Sequence, residues 1–535
     1  MKSRLEHEEY HDGCNEVINL HDRDEATHNV LPSAAGDDLN PLIISIDDAI
    51  DRIGTGRFQT QIMIAAGLCF ASDAMEILLL SFLSLVLMSE WDLTNQQASS
   101  ITASVFAGAF VGTLILGRLG DKWGRRPVFL LTASMIACFG MGTALVQTFH
   151  QLIFFRAMVG FGVGGIVVPF DALAEFMPTQ SLGKRLIITS YFWTTATLLV
   201  PIFAYATLGQ VPAKVPGGED DMDNSWRIFV GCCAAPCAVA AIFGLYVVPE
   251  SPRWMLLQGK SEAALNVLRQ AAATNGKDAT VLFPSGSKLQ CPRQEAQNTT
   301  FCDMLSPGQL RTTLLLWCLW FLYAFMYYGT VLAISLVFSN TQHTNINNES
   351  SNLRYSFDYF AIIASSSAEI AGVTWVLLTV DRFGRIHCMS IYFFLGGVFM
   401  LTLCMLEEVA ESGQGKEYRS ALIVLAFFSR MFVYSGSSIV WITTAELLET
   451  KIRATGHSAA NAAARIGAFL APYLVSSGEN PATIGARMFV ASLLIVGCAR
   501  CLPETAGLPL DMNRMIHRIE QASRIRVPTE ENGVV

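Results

Sequence analysis

Gly117-Arg118-Leu119-Gly120-Asp121-Lys122-Trp123-Gly124-Arg125-Arg126 is a short basic stretch with two internal glycines, set between the apolar runs 98–117 and 128–147. Each run suffices for a membrane span, which needs about twenty mainly apolar residues to cross about 30 Å of hydrocarbon. A charged connection this short reads as the loop of a membrane hairpin. Gly120 and Gly124 permit a tight turn. Asp121 is placed to sit near a neighbouring helix N-terminus and accept from an arginine, locking one face of the protein.

The same reading extends in both directions. Four more spans are expected before residue 250, at 58–88, 152–173, 186–208 and 228–248. Six follow residue 310, at 312–338, 357–380, 388–406, 421–443, 455–475 and 484–502, after a polar segment of about sixty residues. The expected fold is all-α, a polytopic membrane protein with twelve transmembrane helices. Bulk composition agrees: 52% hydrophobic, 15% charged and mean hydropathy +0.40, against roughly 25% charged in soluble domains. The net charge of −9 reflects acid gathered in the N-terminal tail and a few loops. No basic stripe with interleaved aromatics occurs, which disfavours nucleic-acid binding.

Every second loop is basic, which sets orientation. Lys122, Arg125 and Arg126, then Lys184 and Arg185, Arg382 and Arg385, and Lys451 and Arg453 fall on one side, with the central segment. The intervening loops carry Glu90 and Asp92, or Glu219-Asp220-Asp221. Both termini and the central segment are thus expected in the cytoplasm, and no signal peptide precedes Leu42. The expected organisation is a disordered acidic tail (1–50), a six-helix bundle (51–248), a linker with short helices (249–311), a second bundle (312–502) and a C-terminal tail (503–535). Asn348-Glu349-Ser350 is a glycosylation sequon in an outer loop, whereas Asn298-Thr299-Thr300 falls on the cytoplasmic side and is expected to stay unused.

The halves echo each other. Asp121 to Arg125 matches Asp381-Arg382-Phe383-Gly384-Arg385, Arg156 matches Arg430, and Glu175 matches Glu446, in order and about 260 to 275 residues apart. A six-plus-six repeat puts the substrate site at the midplane between bundles. In the second copy Ile386 replaces the second basic residue, so a looser latch is expected there.

These motifs resemble the signature of the major facilitator superfamily. Pro249-Glu250-Ser251-Pro252-Arg253-Trp254 after span six and Pro503-Glu504-Thr505 after span twelve resemble its sugar-porter branch. Asp73-Ala74-Met75-Glu76, Tyr327-Tyr328-Gly329 and Arg465-Ile466-Gly467 look like synaptic vesicle 2-related proteins and their niacin and organic-ion transporter relatives. The resemblance implies a gate of Asp121, Arg125, Arg126, Glu175, Glu250, Arg253, Asp381, Arg385, Glu446, Arg453 and Glu504. Hexose is the less favoured cargo, because span seven lacks the glutamine pair of sugar transporters and span five has no Gln.

A charge at the bilayer centre costs roughly 2.5–3.5 kcal/mol on insertion scales, so such charges are functional candidates. Asp73 and Glu76 share a helix face, and Asp171, Glu369, Arg156, Arg430 and Arg465 complete the set. Either span-one acid is a candidate for coupling protons to cargo, with the arginines attracting an organic carboxylate; the alternative is that they only tie helices together. Trp193, Phe325, Tyr327 and Tyr328 are candidates for stacking on a flat or cationic cargo.

The function expected is secondary active transport of a small organic ion, nicotinate-like or cationic, by alternating access and with protons as the coupling ion. A membrane receptor or scaffold of the same fold, or a sugar transporter, remains the alternative. No nucleophile–base pair, metal-ligand spacing or phosphate-binding Gly-x-x-x-x-Gly-Lys motif is present, so no enzyme, metal or cofactor is implied. Gly160 to Gly165 has dinucleotide-fingerprint spacing but sits mid-span with no strand before it; its glycines serve close helix approach. The expected setting is a monomer in the lipid bilayer of a plasma or vesicle membrane.

Overall fold

A computed structural model describes residues 43–178, 182–209, 224–284, 286–290, 304–306, 309–339, 357–411, 415–448, 453–475 and 480–505. The first bundle contains α2 (Arg57–Glu90), α3 (Asn95–Trp123), α4 (Arg125–Thr143), α5 (Phe149–Gly164), α6 (Val167–Glu175), α7 (Leu182–Thr207) and α8 (Ser225–Val247), preceded by α1 (Ile46–Ile53). The linker carries α9 (Pro252–Leu257), α10 (Ser261–Thr274) and α11 (Ala279–Leu282). The second bundle comprises α12 (Leu310–Val337), α13 (Tyr359–Phe383), α14 (Arg385–Glu411), α15 (Gly415–Leu447), α16 (Arg453–Leu474) and α17 (Pro481–Arg500). Among the described residues, ten spans are long and apolar enough to cross a membrane, with α5 and α6 forming one of them. The helices α7 and α16 take the fifth and eleventh places.

Span four is broken where its repeat partner α15 runs on. Pro169 has no N–H to give, and the Val168 amide turns to the Gly165 carbonyl at 3.0 Å. Elsewhere glycine brings helices into backbone contact. A Cβ on Gly160 would lie 1.9 Å from the Val105 carbonyl oxygen, and one on Gly108 2.0 Å from that of Ala157. Such small-residue seams supply the packing that hydrophobicity cannot supply between helices in lipid.

The bundles meet along α2 and α12, α3 and α16, and α7 and α13. At the ends remote from the linker this seam is closed. Ser99 Oγ donates to the Pro472 carbonyl at 2.9 Å, and the Ser81 and Ser335 hydroxyls bond at 2.9 Å. Phe82 packs on Phe357 with ring centroids 5.0 Å apart.

Residues 43–50, which fall inside the stretch 1–50 expected to be a disordered tail, form β1 and the first part of α1. β1 (Ile43–Ser45) pairs in parallel with β2 (Lys288–Gln290) of the linker. Ile46, Ala49, Ile50 and Ile53 form the buried face of α1, in one apolar cluster with Leu265, Leu268 and Ala272 of α10. Asp47 pairs with Arg253, and Asn275 accepts from the Phe58 amide at 3.0 Å. The pre-span segment is thereby folded onto the linker helices.

Candidate functional site

Two sets of polar side chains stand out, one at the linker-side ends of the spans and one buried at mid-span.

At the linker-side ends, the α3–α4 turn rests on Gly124 alone, whose φ of 105° is a conformation L side chains rarely adopt. Gly120 remains helical and packs on Val168 and the Arg125 side chain. Asp121 is exposed on the last turn of α3 and pairs with Arg125 at 3.0 Å. The carboxylate at a helix N-terminus is Glu250 rather than Asp121. It accepts from the Arg125 amide at 2.6 Å and the Arg126 amide at 3.3 Å. The free N–H groups of α4 and its positive dipole end favour an anion there. Arg125 Nε reaches Glu175 at 3.1 Å.

The second bundle repeats this arrangement. Gly384 has φ 87°, Glu504 accepts from the Arg385 amide at 2.7 Å and the Ile386 amide at 3.0 Å, and Arg385 pairs with Asp381 at 3.0 Å and Glu446 at 3.1 Å. The expectation of a looser second latch is therefore corrected. The residue after Arg385 contributes its backbone amide, which isoleucine supplies as well as arginine does. The Arg126 side chain points elsewhere, donating to the Leu245 carbonyl at 2.9 Å. Trp254 Nε1 donates to the Asp121 carbonyl at 2.9 Å, joining the linker to the turn. Asn348 and Asn298 lie outside the described residues, as does the side chain of Arg453.

At mid-span, Arg156 and Arg430 each have a carboxylate partner within their own bundle. Arg156 Nη1 meets Glu76 Oε2 at 2.6 Å, and Arg430 Nε meets Glu369 Oε1 at 2.9 Å. All four side chains are at most 1% exposed. The pairings are not repeat-related: Glu76 comes from span one, whereas Glu369 comes from span eight. Thr143 accepts from Arg156 at 3.2 Å and Ser366 from Arg430 at 3.1 Å.

Glu369 also receives donors from two other helices. Tyr327 Oη donates at 3.0 Å and Thr197 Oγ1 at 3.0 Å. Trp193 Nε1 donates in turn to Tyr327 Oη at 3.1 Å. Trp193 and Thr197 belong to the first bundle and Tyr327 and Glu369 to the second, so the chain crosses the seam. Asp73 crosses it too, facing Arg465 Nη2 at 3.8 Å. Tyr328 accepts from Arg465 at 3.4 Å and packs on Phe106 at 4.7 Å. Phe325 is buried on α12 and Asp171 is half-buried on α6. Arg465 is thus the partner of Asp73; its position 392 residues further on gave no local signal. Thr143, Thr197 and Ser366 escaped sequence reasoning because a hydroxyl within an apolar run has no pattern of its own.

Residues 60–516 match the family model described as "Sugar (and other) transporter". The chain belongs to that family. It is 30% identical over 468 residues to the synaptic vesicle 2-related protein of Xenopus laevis, covering 85% of this chain and 78% of that protein. The organic cation/carnitine transporter 7 of Arabidopsis thaliana is 29% identical, over 87% of this chain and 95% of that protein. Among solved structures, the inward open conformation of the xylose transporter XylE from E. coli superposes with a TM-score of 0.63 at 18% identity, over 86% of this chain and 100% of that one. The fold is that of the major facilitator superfamily, and the protein is a multi-pass membrane transporter of that type, not an enzyme.

Proposed function

We propose that this chain is a secondary active transporter that carries a small organic ion across its membrane by alternating access, with proton movement coupled to cargo. The observation that carries the reading is the set of arginines and carboxylates buried at mid-span, two pairs within the bundles and one across their seam. Among the described residues, several keep atoms without a hydrogen-bond partner: Asp73 Oδ1, Glu76 Oε1, Arg156 Nη2, Arg430 Nη2 and Arg465 Nε. Holding unsatisfied charge in a membrane interior is expensive, and its retention there favours function over scaffolding.

In this reading either Glu76 or Asp73 carries the coupling proton, and Arg156, Arg430, Glu369, Trp193, Tyr327 and Tyr328 surround the cargo. The cargo class is a nicotinate-like carboxylate or an organic cation; the Arabidopsis relative's name supports the cation. The two linker-side latches form the gate: their acids hold α4 and α14 against neighbouring span ends until rocking parts them. The linker side faces the cytoplasm, because the basic loops gather there. The synaptic vesicle 2-related relatives support a vesicle membrane as the location.

The test is pH-driven uptake of labelled nicotinate and organic cations into proteoliposomes. Glu76→Gln is expected to abolish accumulation above equilibrium while leaving exchange of cargo intact. Full pH-dependent accumulation by that variant would end the coupling role. A second reading, a receptor or scaffold without net transport, draws on the Glu76–Arg156 pair lying wholly within one bundle; binding without counterflow would favour it.

A further inference from the structure

We infer that the cargo is a zwitterion, bound by insertion between Asp73 and Arg465. This rests on the transport reading above and replaces its anion-or-cation cargo with one that carries both charges. The buried ion pairs differ in closeness. Glu76–Arg156 and Glu369–Arg430 are in direct contact at 2.6 and 2.9 Å, each within one bundle. Asp73–Arg465 spans the seam at 3.8 Å, the outer limit of an ion pair, with side chains only 4% and 5% exposed. Among the described residues, each partner keeps a buried atom with no hydrogen-bond partner: Oδ1 of Asp73 and Nε of Arg465. A second donor stands one turn away. Asn461 precedes Arg465 by four residues on α16, hence on the same face, and its buried Nδ2 has no hydrogen-bond partner among the described residues.

The two sides of this ion pair have opposite chemistry. Arg465 and Asn461 offer N–H groups suited to a carboxylate, and Arg465 can present its planar fork. Asp73 offers an acceptor to a cationic group. Tyr328 and Phe106, with centroids 4.7 Å apart, supply aromatic surface for an onium group or a flat ring. Charge balance then selects the ligand. A lone cation at Asp73 strands Arg465, and a lone anion at Arg465 strands Asp73, each leaving an uncompensated buried charge. A zwitterion pairs with both and adds no net charge. Because Asp73 and Arg465 belong to different bundles, such a ligand also replaces the tie that the two helices would otherwise make directly.

One ring can be presented in three charge states: nicotinate as anion, N-methylnicotinamide as cation and N-methylnicotinate as zwitterion. The full-length purified protein would be examined for thermal shift with each, and proteoliposomes for counterflow. N-methylnicotinate is expected to bind and exchange at concentrations at least tenfold below the other two. Asp73→Asn should swing the preference at least tenfold toward nicotinate, and Arg465→Gln toward N-methylnicotinamide. A purely structural pair would weaken all three ligands together, which would overturn the inference. Equal use of the anion or cation would also overturn it, while leaving transport standing. A zwitterion-selective thermal shift without counterflow would support the site and refute transport. No shift with any of the three would refute the site.

Discussion

Thr197 Oγ1 lies 3.0 Å from Glu369 Oε2, so a hydroxyl of the first bundle is bonded to a carboxylate of the second. Glu369 accepts there from three helices: α7 through Thr197, α12 through Tyr327 and α15 through Arg430. Relative movement of the bundles must break the Thr197 contact while the other two persist. Thr197 Oγ1 also lies 2.9 Å from the Thr194 carbonyl oxygen, which offers its hydroxyl an alternative acceptor during that movement.

Thr197→Val keeps the shape and removes the donor. Losing one hydrogen bond to a charged group costs about 1.5–3 kcal/mol, and the Thr194 alternative places this case at the lower end. The expected result is a roughly tenfold change in transport rate with little change in the amount of folded protein. Initial uptake rates normalised to surface expression would check it.

Arg430→Lys should be severe despite keeping the charge. Arg430 engages Glu369 through Nε and Ser366 through Nη1 at the same time, which a point-charge ammonium cannot reproduce. Transport is expected to fall by tenfold or more, and uptake assays on protein of verified monodispersity would detect it.

Glu250→Gln and Glu504→Gln should behave alike, because both acids cap a helix with matching geometry. Each is expected to destabilise the protein by about 1 kcal/mol, the usual scale of a lost cap and dipole contact. Thermal unfolding in detergent is the measurement; a large effect at one site and none at the other would contradict the equivalence.

A pH effect is expected at the start of α13, outside the membrane span. Burial raises the proton affinity of Asp358, but its bonds from Arg419 at 2.6 and 3.0 Å and from the Ala361 amide at 3.1 Å outweigh that. The net result is an affinity below the usual carboxylate range. A group depressed in the folded state contributes stability above its unfolded value, about 3.9, and loses it as pH falls through the folded value. Asp358→Asn should therefore lower thermal stability at pH 7, with the gap from the parent protein narrowing below about pH 4.

Gly160→Val is expected to prevent correct assembly, since its Cβ would enter the Val105 carbonyl. Overpacking typically costs about 1–3 kcal/mol, and backbone collisions more. Gly231→Ala has open space around it and serves as the control. Its yield should match or exceed the parent, because alanine is the better helix former by about 1 kcal/mol.

The helices and their six-plus-six order were legible because lipid imposes length and apolarity on each span. Asp121 and Asp381, with their following Gly-Arg, announced the repeat by spacing alone. What the residue pattern did not reveal depends on tertiary distance. Arg465 meets Asp73 only once span eleven packs beside spans two and seven. Glu250 becomes a helix cap because the end of span six folds back under α4, although Asp121 had equal local credentials. The segment 43–53 reads as part of an acidic tail; its apolar stripe at positions 46, 49, 50 and 53 spans two turns, too short to declare a partner.

The central claim is that the two bundles rock about the buried charges, and the Ser81–Ser335 contact tests it most directly. These hydroxyls join α2 to α12 across the seam at 2.9 Å. Oxidation of a Ser81→Cys/Ser335→Cys protein should form a cross-link that reduces uptake to below about a tenth, on the scale of a blocked obligatory step, with recovery on reduction. Undiminished uptake by fully cross-linked protein would contradict the account.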